Sequence, residues 1–374
     1  MGKRILFIGN HAGFFISHRL PIACAAEAAG YDVHIATPKS KHVPRLIAAG
    51  LQWHELPLSR SGLNPMAELA TLRRIYRLYR RLHPDLVDHV SPKPVLYGTI
   101  AARLARVPAV VNQISGLGHV FSAGGSPTLR ALVSAGYRVA LRHPNMRVFV
   151  ESQDHRQLFT RRSRWVSESD CLIGPVGGVD MEVYRPHEPR SGEVTVLLAS
   201  RMLYTKGIGE FVEAARIVKA KGLAVRFLLV GEPDPDNRKS IPLAELRAWH
   251  EEGLIEYRGR TENMPAVFDE TDIVCLPTYY GEGVPKVLME AAACGLPAVT
   301  TDWPGCRDVV QDGVNGLLVP IRDAAALAEA IAKLATDPAL REAMGARGRE
   351  RVLAHYATSD AVAKTLDVYQ ELLA

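Results

Sequence analysis

Two carboxylates in the C-terminal half of the chain, Glu282 and Glu290, stand eight positions apart across a turn and the start of a helix. Gly283 supplies the backbone freedom that a tight turn needs, and Pro285 suits the first position of a helix. The sequence therefore predicts that Glu282 lies in a loop and that Glu290 lies inside the helix that follows.

The helix start has the dimensions of a nucleotide diphosphate site. From Pro285 to Glu290 the axial rise is about 7 to 8 Å, roughly the distance from a diphosphate to the far edge of its ribose. Backbone N–H groups and the positive end of the helix dipole suit a diphosphate at this position. These N–H groups belong to Val284, Lys286 and Val287. Glu290 would accept hydrogen bonds from the ribose and Glu282 from a sugar, unless both are ordinary surface carboxylates.

The segment from Glu282 to Glu290 resembles the Glu-x7-Glu signature of the retaining glycosyltransferases of family 4. The resemblance extends over nearly the whole chain, and it implies the two-domain GT-B fold. It also implies a donor site that includes Gly283, Val284 and Pro285.

Length and composition agree with two globular domains. The chain has 374 residues, of which 47% are hydrophobic and 23% are charged, and a mild formal net charge of +5. The cysteines show neither Cys-x-x-Cys nor zinc spacing, which is typical of reduced thiols in the cytosol. They are Cys24, Cys171, Cys275, Cys294 and Cys306. The N-terminal apolar stretch predicts a strand rather than a signal peptide, and no apolar run is long enough to span a membrane.

Short β-rich runs alternate with helical segments, which predicts an α/β protein with parallel sheets. We expect two doubly wound Rossmann-like domains facing a cleft, an acceptor-side domain over 1–175 and a nucleotide-sugar domain over 188–355. The resemblance implies that 356–374 packs back on the first domain. The predicted strands are Arg4–Ile8, Val33–Ala36, Gln52–Leu56, Leu86–His89, Ala109–Gln113, Arg147–Val150, Cys171–Ile173, Val194–Ser200, Val225–Gly231, Ile255–Tyr257, Ile273–Pro277 and Ala298–Thr301.

Ligands of open α/β sheets bind beyond the carboxyl ends of the strands, so the loops there are the candidate sites. Arg201 and Lys206 follow the first strand of the second domain and resemble the Arg-x4-Lys diphosphate clamp of the family. Arg260 follows the strand Ile255–Tyr257, where members of the family hold the base. We therefore assign Arg201, Lys206 and Glu282 to catalysis and Arg260 to donor binding.

Three loops of the first domain carry further candidates. The resemblance implies that Gly13 approaches the donor diphosphate and that Arg19, in the helix behind it, contacts the acceptor. His119 lies in a Gly-Leu-Gly-x-x-Phe-like loop, where it either touches the donor sugar or fills a position that relatives occupy with tyrosine. Lys93 either meets an acceptor phosphate or is a solvated turn residue.

One motif favours a different chemistry. Asp234-Pro235-Asp236 has the Asp-x-Asp spacing by which transferases of another fold hold a divalent metal. Its proline-rich composition is typical of a loop, and Arg201, Lys206 and the helix start can neutralise the leaving group. We expect neither a metal nor a cofactor.

The segment Ala67 to His83 predicts an amphipathic helix. Leu69, Leu72, Ile75, Tyr76, Tyr79 and Leu82 lie on one side, and Arg73, Arg74, Arg77, Arg80 and Arg81 on the other. The arginines form a solvated face, a nucleic-acid contact or a contact with an anionic membrane. We favour the membrane and expect no nucleic acid.

The sequence as a whole indicates a retaining, metal-independent transfer of a hexose or N-acetylhexosamine. The donor is a UDP-sugar, and the acceptor is a saccharide on a lipid diphosphate at the cytoplasmic face of the membrane. A UDP-sugar 2-epimerase of the same fold, a non-catalytic sugar-binding protein and a nucleic-acid-binding module are the alternatives.

Overall fold

The structure is a computed structural model, and it describes residues 2–58, 65–115, 127–174, 177–186, 192–235, 237–281 and 283–374. The chain divides into two compact units, one of Met1–Gly178 with Thr358–Ala374 and one of Val179–Ala357. Each unit contains a parallel β-sheet with buried apolar clusters on both faces. The prediction of two doubly wound Rossmann-like domains is confirmed.

The first unit has seven strands in the order β3-β2-β1-β4-β5-β6-β7. The chain builds outward from β1 to β3 and then returns to add β4, so the order reverses beside β1. Every residue of the central strands β4 and β5 is buried, and the polar residues among them are Asp88, His89, Asn112 and Gln113. The strands are β1 (Arg4–Gly9), β2 (Asp32–Thr37), β3 (Gln52–Glu55), β4 (Leu86–Val90), β5 (Ala109–Ile114), β6 (Met146–Val150) and β7 (Cys171–Ile173).

Helices connect these strands on both faces of the sheet. They are α1 (Ala12–His18), α2 (Leu20–Ala28), α3 (Val43–Ala48), α4 (Pro65–Leu82), α5 (Thr99–Ala105), α6 (Pro127–Ala140) and α7 (Gln153–Gln157), with π-helical turns at Pro94–Gly98 and Leu158–Arg162. Ile75, Leu78 and Tyr79 of α4 are buried in the core. We expected Leu69 on the same side of α4, but its side chain is 61% exposed. The residues of α4 that are buried in this core lie further along the helix, from Ile75 onward.

The second unit has six strands in the order β10-β9-β8-β11-β12-β13. These strands are β8 (Val194–Ala199), β9 (Val225–Val230), β10 (Glu256–Tyr257), β11 (Ile273–Leu276), β12 (Ala298–Thr301) and β13 (Gly316–Val319). The sequence prediction lacked β13. The helices are α8 (Ile208–Ala220), α9 (Leu243–Glu251), α10 (Met264–Phe268), α11 (Lys286–Ala293), α12 (Cys306–Val309), α13 (Ala324–Thr336) and α14 (Pro338–His355), with a 3-10 turn at Tyr204–Lys206.

The last helix, α15 (Thr358–Leu373), belongs to the first unit and packs against α2 and β5. Tyr369 of α15 is fully buried, and its ring lies 6.3 Å from the ring of Phe7. Its hydroxyl donates a hydrogen bond of 2.6 Å to Oδ2 of Asp88 on β4. Among the described residues, no helix is both long and apolar enough to cross a membrane.

Candidate functional site

A cavity of about 220 Å³ opens at the carboxyl ends of β8 and β9. This is the edge at which parallel sheets bind their ligands. The cavity brings together two residues that the sequence assigned to the donor, Arg260 and Glu290. Its lining consists of Ala199, Ser200, Val230, Gly231, Arg260, Thr261, Met264, Val287 and Glu290.

Gly231 keeps the backbones of β8 and β9 close together beneath this cavity. Its φ of +145° lies in a region that other residues rarely adopt. A Cβ atom here would lie 1.8 Å from the carbonyl oxygen of Ser200. Any larger residue would therefore displace the floor of the cavity.

Glu290 is a buried carboxylate and not a surface residue of its helix. Only 8% of the residue is exposed, and its Oε1 lies 3.7 Å from the Lys286 ammonium one turn earlier. Burial raises the pKa of Glu290, while the nearby Lys286 and Tyr184 oppose that rise. The sequence analysis missed Tyr184, which precedes β8 and has no spacing relation to Glu290.

The helix that carries Glu290 begins close to the predicted residue. Pro285 has an extended backbone (φ −67°, ψ 118°) and caps α11, so the first helical residue is Lys286 and not Pro285. The Pro285 carbonyl accepts the first hydrogen bond of the helix, from Leu288 N at 3.1 Å. Gly283 and Val284 precede this cap and are partly buried.

Arg201 and Lys206 lie in one loop and face the same aromatic ring. The Arg201 guanidinium carbon lies 5.8 Å, and the Lys206 ammonium 5.5 Å, from the centre of the Tyr280 ring. Gly207 ends the loop with φ +77°, and a Cβ atom there would lie 2.1 Å from the Pro277 carbonyl oxygen. The loop is thus held against the segment that leads into Glu282.

The Arg201 guanidinium also contacts the Asp-x-Asp segment. Its Nη1 donates to Oδ2 of Asp234 at 2.7 Å, and the Asp234 side chain is 14% exposed. Asp236 lies outside the described residues. Within the part of the chain that the structure describes, no three His, Cys, Asp or Glu side chains are grouped to hold a metal.

Arg260 is anchored at the rim of the cavity by two carboxylates. Its Nη1 donates to Glu232 at 3.0 Å, and its Nη2 lies 3.7 Å from Glu262. The Arg260 side chain is 39% exposed, so the guanidinium remains accessible to a ligand.

The candidates of the first unit lie at different depths. Gly13 is in the first turn of α1, where a Cβ atom would lie 2.9 Å from the His11 ring. The Lys93 ammonium donates to Glu68 of α4 at 2.6 Å. We expected Arg19 inside a helix, and this prediction is wrong. Arg19 lies between α1 and α2, and it is fully buried.

The buried charge of Arg19 faces groups from distant parts of the sequence. Its charge faces Asp88, Tyr369 and Glu151, and burial lowers the pKa of the guanidinium. None of its three side-chain nitrogens has a hydrogen-bond partner among the described residues. His119 and Glu282, the two other predicted site residues, lie outside the described residues.

Two family models match the chain, one in each unit. Residues 193–337 match "Glycosyl transferases group 1", and residues 4–144 match "Glycosyl transferase 4-like". The chain belongs to glycosyltransferase family 4.

Full-length relatives support this assignment to family 4. The chain is 27% identical over 354 residues to the N,N'-diacetylbacillosaminyl-diphospho-undecaprenol alpha-1,3-N-acetylgalactosaminyltransferase of Campylobacter jejuni, covering 90% of this chain and 91% of that protein. It is 25% identical to the capsular polysaccharide biosynthesis glycosyltransferase CapM of Staphylococcus aureus, covering 86% and 85% of the two chains.

A solved structure shows the same fold. Anabaena HepE in complex with UDP and glucose matches this family 4 chain with a TM-score of 0.75 and 17% identity, over 98% of this chain and 99% of that chain. The similarity establishes the GT-B fold class that the sequence predicted.

The second unit of this family 4 glycosyltransferase groups residues whose chemistry suits an anionic, hydroxyl-rich ligand. Glu290 offers carboxylate oxygens inside the cavity, and the helix start supplies backbone N–H groups nearby. Arg201 and Lys206 place two cations on the next loop of the same sheet edge. This combination suits a nucleotide diphosphate.

Proposed function

We propose that this glycosyltransferase transfers a hexose or N-acetylhexosamine from a UDP-sugar to a saccharide carried on a polyprenyl diphosphate. The observation that carries the proposal is the buried Glu290 in a cavity beside two cations of one loop. The Campylobacter relative is named for a diphospho-undecaprenol acceptor, and HepE was solved with UDP. Both support the choice of substrates, in the biosynthesis of a bacterial polysaccharide.

In this proposal the nucleotide lies along the sheet edge. The base enters the cavity beside Arg260 and Met264, and the ribose hydroxyls donate to Glu290. The diphosphate lies at the start of α11, near Gly283, Val284 and the Pro285 cap, where the helix dipole favours negative charge. The donor role of Gly13, which lies in the first unit, remains a prediction.

The chemistry then requires stabilisation of the leaving group. The bond from the sugar anomeric carbon to the UDP oxygen breaks while the acceptor hydroxyl forms a new bond on the same face, with retention. The departing phosphate takes the acceptor's proton, so no separate base is needed. Arg201 and Lys206 stabilise the charge that grows on the diphosphate, and Glu282 orients the sugar. Neither a metal nor a cofactor takes part in this scheme.

The acceptor-side residues remain predictions. Lys93 would have to exchange its contact with Glu68 for an acceptor phosphate. Arg19 would act from inside the first unit because its guanidinium is buried. His119 would touch the donor sugar.

We also propose a peripheral contact with an anionic membrane at the cytoplasmic face, through α4. The arginines of its outer face are exposed, and none forms an ion pair within the described ranges of the chain; they are Arg73, Arg74, Arg77, Arg80 and Arg81. Each basic residue near an anionic leaflet contributes on the order of 1 kcal/mol. Such a surface would hold the enzyme near a lipid-linked acceptor.

A donor panel with a synthetic polyprenyl-diphosphate saccharide tests the proposal. We expect release of UDP together with one longer lipid-linked product whose new linkage keeps the anomeric configuration of the donor. Conversion of one UDP-sugar into another without acceptor would instead indicate an epimerase. Binding of UDP-sugar without turnover would indicate a sugar-binding protein, and salt-sensitive binding of nucleic acid would indicate the remaining alternative.

A further inference from the structure

The helices α5 and α6 expose aliphatic side chains at the surface of the first unit. Leu132 is 70% exposed and Val139 is 53% exposed, and they lie about two turns apart on one side of α6. Leu104 of α5 is 62% exposed. The side chain of its neighbour Arg103 donates to the Val139 carbonyl at 3.1 Å, so the two helices meet here. Leu104, Leu132 and Val139 are called the Leu132 patch below.

The helix α6 carries apolar side chains on two sides, and only one of these sides is covered. Tyr137 is fully buried in the core of the first unit, and Val133 packs against that core. Leu132 and Val139 lie on the side that remains exposed. A helix that is apolar all round is normally buried on every side. The exposed side of α6 therefore suits a second apolar surface.

The sequence that contains the patch carries positive charge only. No Asp or Glu occurs between Asp88 and Glu151. Within this stretch, Lys93 and Arg147 form ion pairs with carboxylates from outside it. The other cations are exposed and lie in α5 and α6 or within two residues of their ends; they are Arg103, Arg106, Arg130, Arg138 and Arg142.

We propose that the Leu132 patch inserts into the headgroup boundary of an anionic lipid leaflet, with these arginines at the lipid phosphates. Apolar side chains beside cations are typical of helices that lie in the plane of a membrane, with the apolar side buried about 5 to 10 Å deep. The inference goes beyond the α4 contact of the proposed function, because that contact is electrostatic alone. It does not depend on the transfer reaction.

Aliphatic side chains favour a lipid surface over other polyanions. Nucleic acid offers phosphates to arginine, but its bases are read by polar and aromatic groups, so the patch would stay in water. A lipid leaflet satisfies both features, since it presents anionic groups above an apolar interior. Burial of the patch is not screened by salt, whereas the attraction of the arginines is. This difference distinguishes the patch from the arginine face of α4.

Vesicle sedimentation at two salt concentrations tests the inference on the full chain. The vesicles contain phosphatidylglycerol and phosphatidylcholine, and the salt is raised from about 0.1 M to about 1 M, where charges are screened over about 3 Å. We expect the triple variant Leu104→Gln, Leu132→Gln, Val139→Gln to partition about tenfold more weakly than the wild type at both concentrations. Gln is a good helix former and these side chains are exposed, so the melting temperature and UDP affinity should stay unchanged.

A second triple variant is the matched control. Leu243, Val314 and Leu353 are 41%, 40% and 47% exposed in the second unit, and Gln replaces each of them. This variant should sediment as the wild type does. Wild-type partitioning of the patch variant would overturn the inference, and it would leave the α4 contact to be tested by its own variant.

A reporter on the patch measures insertion without removing it. In Leu132→Trp, vesicles with brominated acyl chains should quench the added fluorescence after the wild-type signal is subtracted. Leu353→Trp should not be quenched, because its position lies outside the patch. An unquenched Leu132→Trp protein would overturn the inference even if the triple variant failed to fold. If the wild type bound neither vesicles of this composition nor their brominated form, the membrane contact through α4 would fail as well.

Discussion

Glu290 shows how much a single carboxylate can depend on its surroundings. It lies on a helix among apolar residues, where an unpaired charge would be costly, and the chain supplies Lys286 and Tyr184 to compensate. Burial of such a carboxylate lowers the stability of the ligand-free protein. Hydrogen bonds donated by ribose hydroxyls would compensate for this loss. Its arrangement therefore favours a function over a structural role.

Glu290→Gln tests this at the residue scale. The change keeps the shape and removes the charge, so UDP binding should weaken by about 1 to 3 kcal/mol while the melting temperature of the free protein does not fall. Calorimetry with UDP and a thermal melt measure the two effects. Glu329→Gln, on the exposed face of α13, is the matched control and should change neither. An unchanged affinity in folded Glu290→Gln would contradict the ribose assignment.

In the proposed function the two cations of the Arg201 loop act on turnover more than on binding. Arg201→Ala and Lys206→Ala should each lower kcat by roughly 10²-fold or more, because each removes a charge that acts most strongly as the leaving group departs. Steady-state UDP release measures this, with added EDTA expected to leave the wild type active.

Arg216→Ala and Lys219→Ala provide controls for these two variants. Both side chains lie on α8 of the same unit and form surface contacts, Arg216 with Glu213 and Lys219 with the Gly253 carbonyl. Their loss should leave kcat within twofold of the wild type. Full activity of either loop variant, or loss of wild-type activity in EDTA, would contradict the proposed chemistry.

At the scale of elements, local patterns predict what local physics determines. Short β-rich runs predict parallel strands, and β7 and β12 have the predicted bounds. β13 was missed because its four residues begin with a glycine after a turn. Gly316 is required there by a neighbour, since a Cβ atom would lie 2.3 Å from the Ala298 carbonyl oxygen. That requirement comes from tertiary packing.

In the candidate site, too, local features could be predicted from the sequence and tertiary contacts could not. The spacing from Pro285 to Glu290 is a helical property and could be predicted, as could the placement of the Arg201 loop after a strand. The hydrogen bond of Lys93 with Glu68 and the electrostatic influence of Tyr184 on Glu290 join distant parts of the sequence. Periodicity carries no information about such pairs, so the burial of Arg19 opposite Asp88 was also beyond the sequence.

The arginine face of α4 gives a prediction for a whole element. Replacing Arg73, Arg77 and Arg80 by Gln should weaken binding to vesicles that contain anionic lipid, and wild-type binding should fade with salt because charges are screened over about 10 Å at 0.1 M. Vesicle sedimentation measures the binding. UDP affinity should not change, because α4 belongs to the first unit and the nucleotide site to the second.

A second triple variant serves as the control for an effect of net charge alone on vesicle binding. Arg216, Arg247 and Arg347, all exposed in the second unit, can be replaced by Gln with the same change in net charge. This variant should sediment with vesicles as the wild type does. If both triple variants lose binding equally, net charge and not the α4 face is responsible.

The described residues form separate cores in the two units, since no buried cluster among them contains residues of both units. Each unit should therefore have its own stability, although the chain leaves the first unit at Gly178 and returns to it at Thr358. The return helix α15 is part of the first core through Val368, Tyr369 and Leu372.

Tyr369→Ala tests this division. It removes a fully buried ring and the hydroxyl that donates to Asp88, beside the buried Arg19. We expect the free energy of unfolding of the first unit to fall by about 3 to 5 kcal/mol, while the second unit keeps its stability. Hydrogen exchange measured by mass spectrometry should show faster exchange in β4 and β5 and unchanged exchange in β8 and β9.

UDP provides the opposite perturbation in the same experiment. If UDP binds the folded second unit as proposed, saturating UDP should stabilise that unit by up to about 2.7 kcal/mol at a hundredfold excess over Kd. Exchange there should then slow in both the wild type and Tyr369→Ala. Tyr204→Ala, at an exposed ring of the second unit, is the control for loss of a tyrosine and should leave β4 and β5 unchanged. If Tyr369→Ala accelerated exchange equally in both sheets, the two units would unfold together, and the stability of the nucleotide site would depend on the C-terminal helix.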